Sequence, residues 1–297
     1  MTADRLIRPA GPATPPETVP ETVVFGGAGG LRLTADIWGA QRQRTVLMLH
    51  GGGQTRHSWK ATSGLLADSG LRVIALDARG HGDSDWSPAG QYGLDRNRDD
   101  VLAVIEQLRE PVTIVGASMG GLTGMLAAAA AGPGRVRSLV LVDVVPRMEQ
   151  AGSERIRDFM LGAPDGFASL DEAAAAVADY LPHRSRPRSA DGLRRNLRQR
   201  ANGRWYWHWD LRMMTTPQPG DPSERLARLE DAARSLRIPV LLLHGRMSDV
   251  VSDAGVAEFR ELVPHTEVVA LAGAAHTAAG DDNDAFTAAV VAFCTRG

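Results

Sequence analysis

The chain predicts an α/β fold built on a doubly wound sheet, on three observations. Short continuous apolar runs recur, such as Thr45-Val46-Leu47-Met48-Leu49 and Val240-Leu241-Leu242-Leu243, the pattern of strands buried on both faces. Amphipathic helical stretches separate these runs. Val112 to Val115 passes through Gly116-Ala117-Ser118-Met119-Gly120 into an Ala- and Leu-rich helical pattern from Leu122 to Ala131, so a strand, a tight turn and a helix follow one another directly.

Taken in order, residues 1 to about 20 carry five prolines among small polar residues and read as a disordered tail. Thr22 to Phe25 and Leu31 to Trp38 form a hairpin across the glycine-rich Gly26 to Gly30. The Thr45 to Leu49 strand ends in His50-Gly51-Gly52-Gly53, and Ser58 to Ser69 reads as a helix with Trp59 on its buried side. Leu71 to Leu76 is a strand, Asp77-Ala78-Arg79-Gly80-His81-Gly82 the loop after it, and Leu94 to Leu108 an amphipathic helix. Val136 to Val142 is a further strand, ending at Asp143. From Val145 to about Ser235 the alternation stops and helical segments dominate: Glu154 to Met160, Leu170 to Tyr180, Gly192 to Gln199 and Pro222 to Ala233. It resumes with the strand from Ile238 to Gly245, the helix from Ala254 to Leu262, the strand from Thr266 to Leu271 and a closing helix from Asp284 to Thr295.

The chemistry-bearing residue types collect at the carboxyl ends of these strands. A turn as tight as the one at Ser118 forces strained backbone on the serine and tolerates no bulk at Gly116 or Gly120, which leaves the hydroxyl exposed at the sheet edge. The Met119 N–H, at the start of the helix, and that of Gly52, in the glycine turn, are the expected pair of donors to a developing oxyanion. A serine hydroxyl is a poor nucleophile at neutral pH and needs a base held by an anion. His276, in the small-residue loop after the last strand, is the candidate base. Asp249, four residues beyond the penultimate strand, is the candidate acid, with Asp143 as the alternative. His81 is expected to satisfy local backbone groups rather than to react. Trp205 to Asp210 holds three of the six tryptophans, and Gly53, Trp205, Trp207 and Val250 are the expected pocket residues. Eight arginines against the single acid Asp191 lie between Arg184 and Arg204, read as a solvated or intrachain pairing surface ahead of an anion site.

With 297 residues, 43% of them hydrophobic, the chain can bury one large core, or a core and a lid of roughly 90 residues. A net charge of −2 gives no field for nucleic acid or an anionic membrane, so a small molecule is the expected partner, with homo-oligomerisation left open. One cysteine, Cys294, excludes an internal disulfide and a cysteine-built metal site. Without a signal-like amino terminus or an apolar run of roughly 18 residues, the expected location is cytoplasmic. A single lysine, Lys60, among abundant arginines points to GC-rich, bacterial coding.

His50-Gly51-Gly52-Gly53, the Asp77 to Gly82 loop, Gly116 to Gly121, the Gly245 to Asp249 spacing and His276 together resemble the α/β-hydrolase superfamily over about residues 22 to 144 and 238 to 297. The resemblance implies an eight-stranded, mostly parallel sheet flanked by helices, with a helical cap over residues 145–235 inserted after strand 6 and a core of residues 21–144 and 236–297. Relatives that make alkyl-enzyme esters carry aspartate at the elbow, whereas this chain has Ser118, which implies acyl transfer to water without a cofactor. The expected activity is hydrolysis of a carboxylic ester or lactone of a medium-sized hydrophobic or aromatic substrate. Carbon–carbon bond hydrolysis or cofactor-free perhydrolysis by the same three side chains is the alternative enzyme reading. A receptor-like binding module is the non-enzyme reading, and serine-dependent release from an acyl ester separates it from the others.

Overall fold

The structure is a computed structural model describing residues 19–40, 42, 44–180, 190–217, 220–271 and 284–296. Its centre is an eight-stranded sheet in the order β1-β2-β4-β3-β5-β6-β9-β10. The strands are β1 (Glu21–Gly26), β2 (Arg32–Trp38), β3 (Thr45–Leu49), β4 (Arg72–Leu76), β5 (Val112–Ala117), β6 (Val136–Val142), β9 (Val240–Gly245) and β10 (Glu267–Leu271). β2 pairs antiparallel with both β1 and β4, and every other pairing is parallel.

The continuous apolar runs follow from burial on both faces. Along β3, Leu47 and Leu49 enter one core while Val46 and Met48 enter the other, and along β9 Val240 and Leu242 part in the same way from Leu241 and Leu243. The first core lies under α2 (Leu94–Leu108), α3 (Met119–Ala130), α7 (Pro222–Ser235) and α8 (Asp253–Leu262), through side chains such as Val104, Met125, Leu229 and Phe259. The second lies under α1 (Lys60–Asp68) and α9 (Asp284–Thr295), where Trp59 stacks on Phe286 at 6.2 Å and the Cys294 thiol is buried. Burial of this much apolar surface on both sides is the dominant stabilising term.

Between β6 and β9 the chain leaves the sheet for α4 (Gln150–Leu161), α5 (Leu170–Tyr180), the antiparallel pair β7 (Leu197–Gln199) and β8 (Trp205–Trp207), and α6 (Arg212–Thr215), and returns through α7. This insertion has a small core of its own, with Met160, Phe167, Ala173, Leu197, Trp207 and Trp209. The helix expected over Gly192 to Gln199 is not there. A 3-10 turn covers Ala190–Arg195, and Leu197 and Gln199 then pair with Trp207 and Trp205. Pairing with the tryptophan strand buries Leu197, the one apolar residue of a polar three-residue strand, which outweighs the helical propensity of leucine, arginine and glutamine. The expected tail, residues 1–18, lies outside the described residues.

Candidate active site

Ser118 sits at φ 48° and ψ −119°, a conformation L-residues rarely adopt, between the end of β5 and the start of α3. It is held there on both sides. Its N–H donates to the Val142 carbonyl (3.2 Å), and its carbonyl accepts the N–H groups of Gly121 (2.9 Å) and Leu122 (3.1 Å). The glycines make the approach feasible. A Cβ on Gly116 would collide with the Gly120 carbonyl, and one on Gly120 with the carbonyl of Leu49, so any side chain would push the helix off the strand. Backbone strain held this firmly is the usual mark of a functional position.

Facing Ser118 is the glycine turn after β3; a Cβ on Gly51 would lie 3.4 Å from that of Ser118. The amides of this turn are almost all committed. Gly51 N–H donates to Gln54 Oε1 (3.1 Å), Gly53 N–H to His81 Nε2 (3.2 Å) and Gln54 N–H to the Gly51 carbonyl (3.1 Å). The Gly52 N–H has no partner among the described residues and stands beside the serine turn. Met119, first residue of α3, has an amide with no preceding helical turn to receive it. These two are the expected oxyanion donors.

Three buried imidazoles fix this turn. His50 Nε2 accepts the Ala78 N–H (3.0 Å), so its proton lies on Nδ1, which donates to the Gly51 carbonyl (2.8 Å). His81 Nε2 accepts from Gly53, so its Nδ1–H donates to the Arg79 carbonyl (3.2 Å). His208, from the insertion, accepts the Gly82 N–H at Nδ1 (2.7 Å). Burial holds all three below the ordinary histidine range. His81, with the neighbouring His50 adding to the effect, falls to about 3. His81 thus serves the backbone, as its glycine-flanked loop suggested.

The two candidate acids have different surroundings. Asp249 lies at the surface, where its carboxylate pairs with Arg155 of α4 (2.7 Å), whose guanidinium also covers the Tyr180 ring. The loop around it is fastened to α4: Glu149 N–H donates to the Val250 carbonyl (2.9 Å), and a Cβ on Gly152 would collide with the Asp249 carbonyl. Asp143 follows β6 at φ 49° and is fully buried. Its Oδ1 accepts the Gly245 N–H (3.0 Å) and its Oδ2 the Ser248 hydroxyl (2.6 Å), while its own N–H donates to the Leu243 carbonyl (2.7 Å). Ala117 pairs with Val142, and Val142 with Leu243, so Ser118 and Asp143 occupy neighbouring places one step beyond the sheet. His276 lies outside the described residues; β10 ends at Leu271, paired with Gly245, on this same edge.

Ser118, Met119, Gly52 and Gly53 line a cavity of about 630 Å³ between the sheet edge and the insertion. Phe159, Met160, Tyr180, Trp207 and Trp209 give it an aromatic and sulfur-rich wall. Two expected pocket residues are elsewhere. Trp205 lies under the Arg194 guanidinium (5.0 Å) and bridges to Phe167, whereas Trp207, two residues on, lines the cavity. Val250 is fully buried in the main core beneath α4. Trp209, Met160 and the Gly192 to Asn196 turn are lining residues without an assigned place in the sequence reading, although Trp209 continues the every-other-residue spacing of the tryptophans.

The profile of a family described as the alpha/beta hydrolase fold matches residues 44–282. This chain belongs to the α/β-hydrolase family. The esterase Rv0045c of Mycobacterium tuberculosis is 33% identical over 256 residues, covering 82% of this chain and 78% of that one. A mouse protein, the sn-1-specific diacylglycerol lipase ABHD11, is 29% identical over 84% of this chain and 80% of its own. An α/β hydrolase of Novosphingobium aromaticivorans superposes with a TM-score of 0.79 at 27% identity, covering 94% of this chain and 99% of that one. With an esterase and a lipase among such relatives, the α/β hydrolase described here is a hydrolase acting on ester bonds. Among its described residues no helix is long and apolar enough to cross a membrane, and no cluster of His, Cys, Asp and Glu could hold a metal ion.

Proposed function

We propose that this α/β hydrolase cleaves carboxylic esters, lactones included, of medium-sized hydrophobic or aromatic substrates through an acyl-enzyme on Ser118. The observation that carries the reading is the strained Ser118 facing the uncommitted Gly52 amide across an aromatic-walled cavity. In the first step the Ser118 hydroxyl adds to the ester carbonyl while His276 takes its proton. The tetrahedral oxyanion is held by Gly52 and Met119 N–H, and collapse expels the alcohol with the proton returned to it by His276. Water, deprotonated by the same imidazole, then releases the acid.

Of the two acids, Asp143 is the better supported orienter of His276. It is buried at the sheet edge beside Ser118, with donors from Gly245 and Ser248 fixing its carboxylate, whereas Asp249 is only half-buried and paired with Arg155. The insertion, residues 145–235, acts as a cap that walls the cavity and keeps water from the acyl group.

Hydrolysis of 4-nitrophenyl butyrate by the wild type and Ser118→Ala tests this reading, with trapping by a fluorophosphonate located by peptide mass. Wild-type turnover, a phosphonyl group on Ser118 and loss of activity in the variant are expected. Undiminished turnover in Ser118→Ala removes the serine mechanism. Serine-dependent turnover of β-diketones alone, in a screen that includes lactones and esters, replaces the ester substrate with a carbon–carbon bond. Absence of turnover on every compound, with ligand still bound, leaves the binding-module reading in its place.

A further inference from the structure

The insertion is rich in arginine, and its guanidiniums are almost all engaged. Arg155 pairs with Asp249, Arg198 with Asp83 (2.9 Å) and Arg212 with Asp210 (2.7 Å). Arg194 covers Trp205, Arg200 covers Tyr206, and Arg204 donates to the carbonyls of Asp165 (2.8 Å) and Gly166 (2.6 Å). Arg195 differs from these. It is exposed at the rim of the Ser118 cavity, and its guanidinium has no carboxylate, carbonyl or ring partner among the described residues.

What surrounds it is polar but contains no acid. The side of the cavity formed by the Gln54 to Ser58 turn and the Gly192 to Asn196 turn presents Gln54, Thr55, His57, Ser58 and Asn196 around Arg195. The Thr55 hydroxyl is buried there without a partner among the described residues. The two turns are close enough that Arg195 adds to the burial and the Arg56 charge that hold the His57 imidazole below its ordinary value. No aspartate or glutamate is among the described lining residues, so none of them neutralises this positive end, while the opposite side is apolar.

We infer that Arg195 selects substrates carrying a carboxylate at the end remote from the scissile ester. The inference rests on the ester-hydrolase reading and gives it a substrate class. A guanidinium beside a low-dielectric wall attracts an anion more strongly than one in open water, and its planar fork matches two carboxylate oxygens. A monoanion balances the Arg195 cation, whereas a phosphate dianion would bring a second charge with no partner among the described residues of this wall. The polar side then takes the charged end, and the aromatic side takes the apolar part of the molecule.

Two matched esters test this inference, 4-nitrophenyl hydrogen adipate and 4-nitrophenyl hexanoate, which differ by a carboxylate in place of a terminal methyl group. The wild type is expected to favour the adipate by about tenfold in kcat/KM, less as salt is added. In Arg195→Met the ratio falls to about one, in Arg195→Lys part of it remains, and in Arg195→Glu it inverts. Arg234→Met, on the far surface of α7, keeps the wild-type ratio. The same ratio is read from binding of both esters to Ser118→Ala through Trp207 and Trp209 fluorescence, so failure of the chemistry and failure of the selectivity are separable. A wild-type ratio of one or less, or a ratio unmoved in Arg195→Met, overturns the inference.

Discussion

The sheet and the insertion are held together by different physics. The central strands of the sheet are buried on both faces, their side chains dividing between two apolar cores, and the contact of β5 with α3 leaves no room for even a methyl group at Gly116 or Gly120. The insertion has a small aromatic core of its own, and apart from α7, which packs Leu229 and Ala233 into the main core, it is tied to the loops at the sheet edge by polar contacts. Tyr92 donates to Asp210 (2.6 Å), Asp210 N–H donates to the Gly80 carbonyl (3.0 Å), His208 accepts from Gly82, and Arg198 and Arg155 reach Asp83 and Asp249. Close apolar packing fixes atoms to a fraction of an ångström and suits the reacting groups. Polar contacts at loop tips are weaker singly and suit a wall that must admit a substrate.

Substitutions on either side of this division can break or sharpen the contrast. The largest effect is expected from Ser118→Ala, a loss of about 10⁴-fold or more in kcat with the melting temperature unchanged or raised, measured by ester hydrolysis and calorimetry. Next is the pair of acids. Asp143→Asn should lower kcat by about 10²- to 10⁴-fold, and Asp249→Asn, outside the packed region, by less than about fivefold; the reverse order would return the orienting role to Asp249. Gly120→Ala should cost about 3 kcal/mol or more in denaturant unfolding, since the helix must leave the strand, whereas alanine at the exposed Gly203 turn of the insertion costs far less.

A smaller effect concerns pH. The His81 pKa is about 3 in the folded chain and near 6.5 when unfolded, so only the unfolded state binds the extra proton as pH falls below 6.5 towards 5. Stability present above that pH should decline by about 2 kcal/mol between pH 6.5 and 5 on this account, and His81→Gln should flatten the slope by one proton in chemical unfolding. The smallest effect is Tyr92→Phe, which removes one bond to the insertion. It should cost about 1 kcal/mol, seen as faster hydrogen exchange around Asp210 and a raised KM while kcat holds.

Much of the fold was legible because two-face burial leaves a strong signature. β3 and β9 carry Val46 to Leu49 and Val240 to Leu243 as uninterrupted apolar runs, β6 carries Leu139 to Val142, and the elbow glycines are required by close approach that no other residue satisfies. The hairpin of β7 and β8 was not legible, since three-residue strands carry too little pattern and their stability comes from a partner strand several residues away. The acids illustrate a second limit. Asp143 and Asp249 both follow strands, and only folding reveals that Arg155 meets one while Gly245 and Ser248 enclose the other. The same holds for Trp205, which meets Arg194 and Phe167, for Val250, which lies beneath α4, and for Arg195, which no local pattern distinguishes from its paired neighbours.

The imidazole at position 81 shows how a residue remote from the bond being broken can govern it. By accepting the Gly53 N–H it occupies one amide of the glycine turn and leaves that of Gly52 uncommitted, so which amide stays available is set by which nitrogen of a concealed ring lacks a proton. A side chain there with no acceptor would leave the Gly53 N–H without its bond and loosen the turn that holds the Gly52 amide beside the serine.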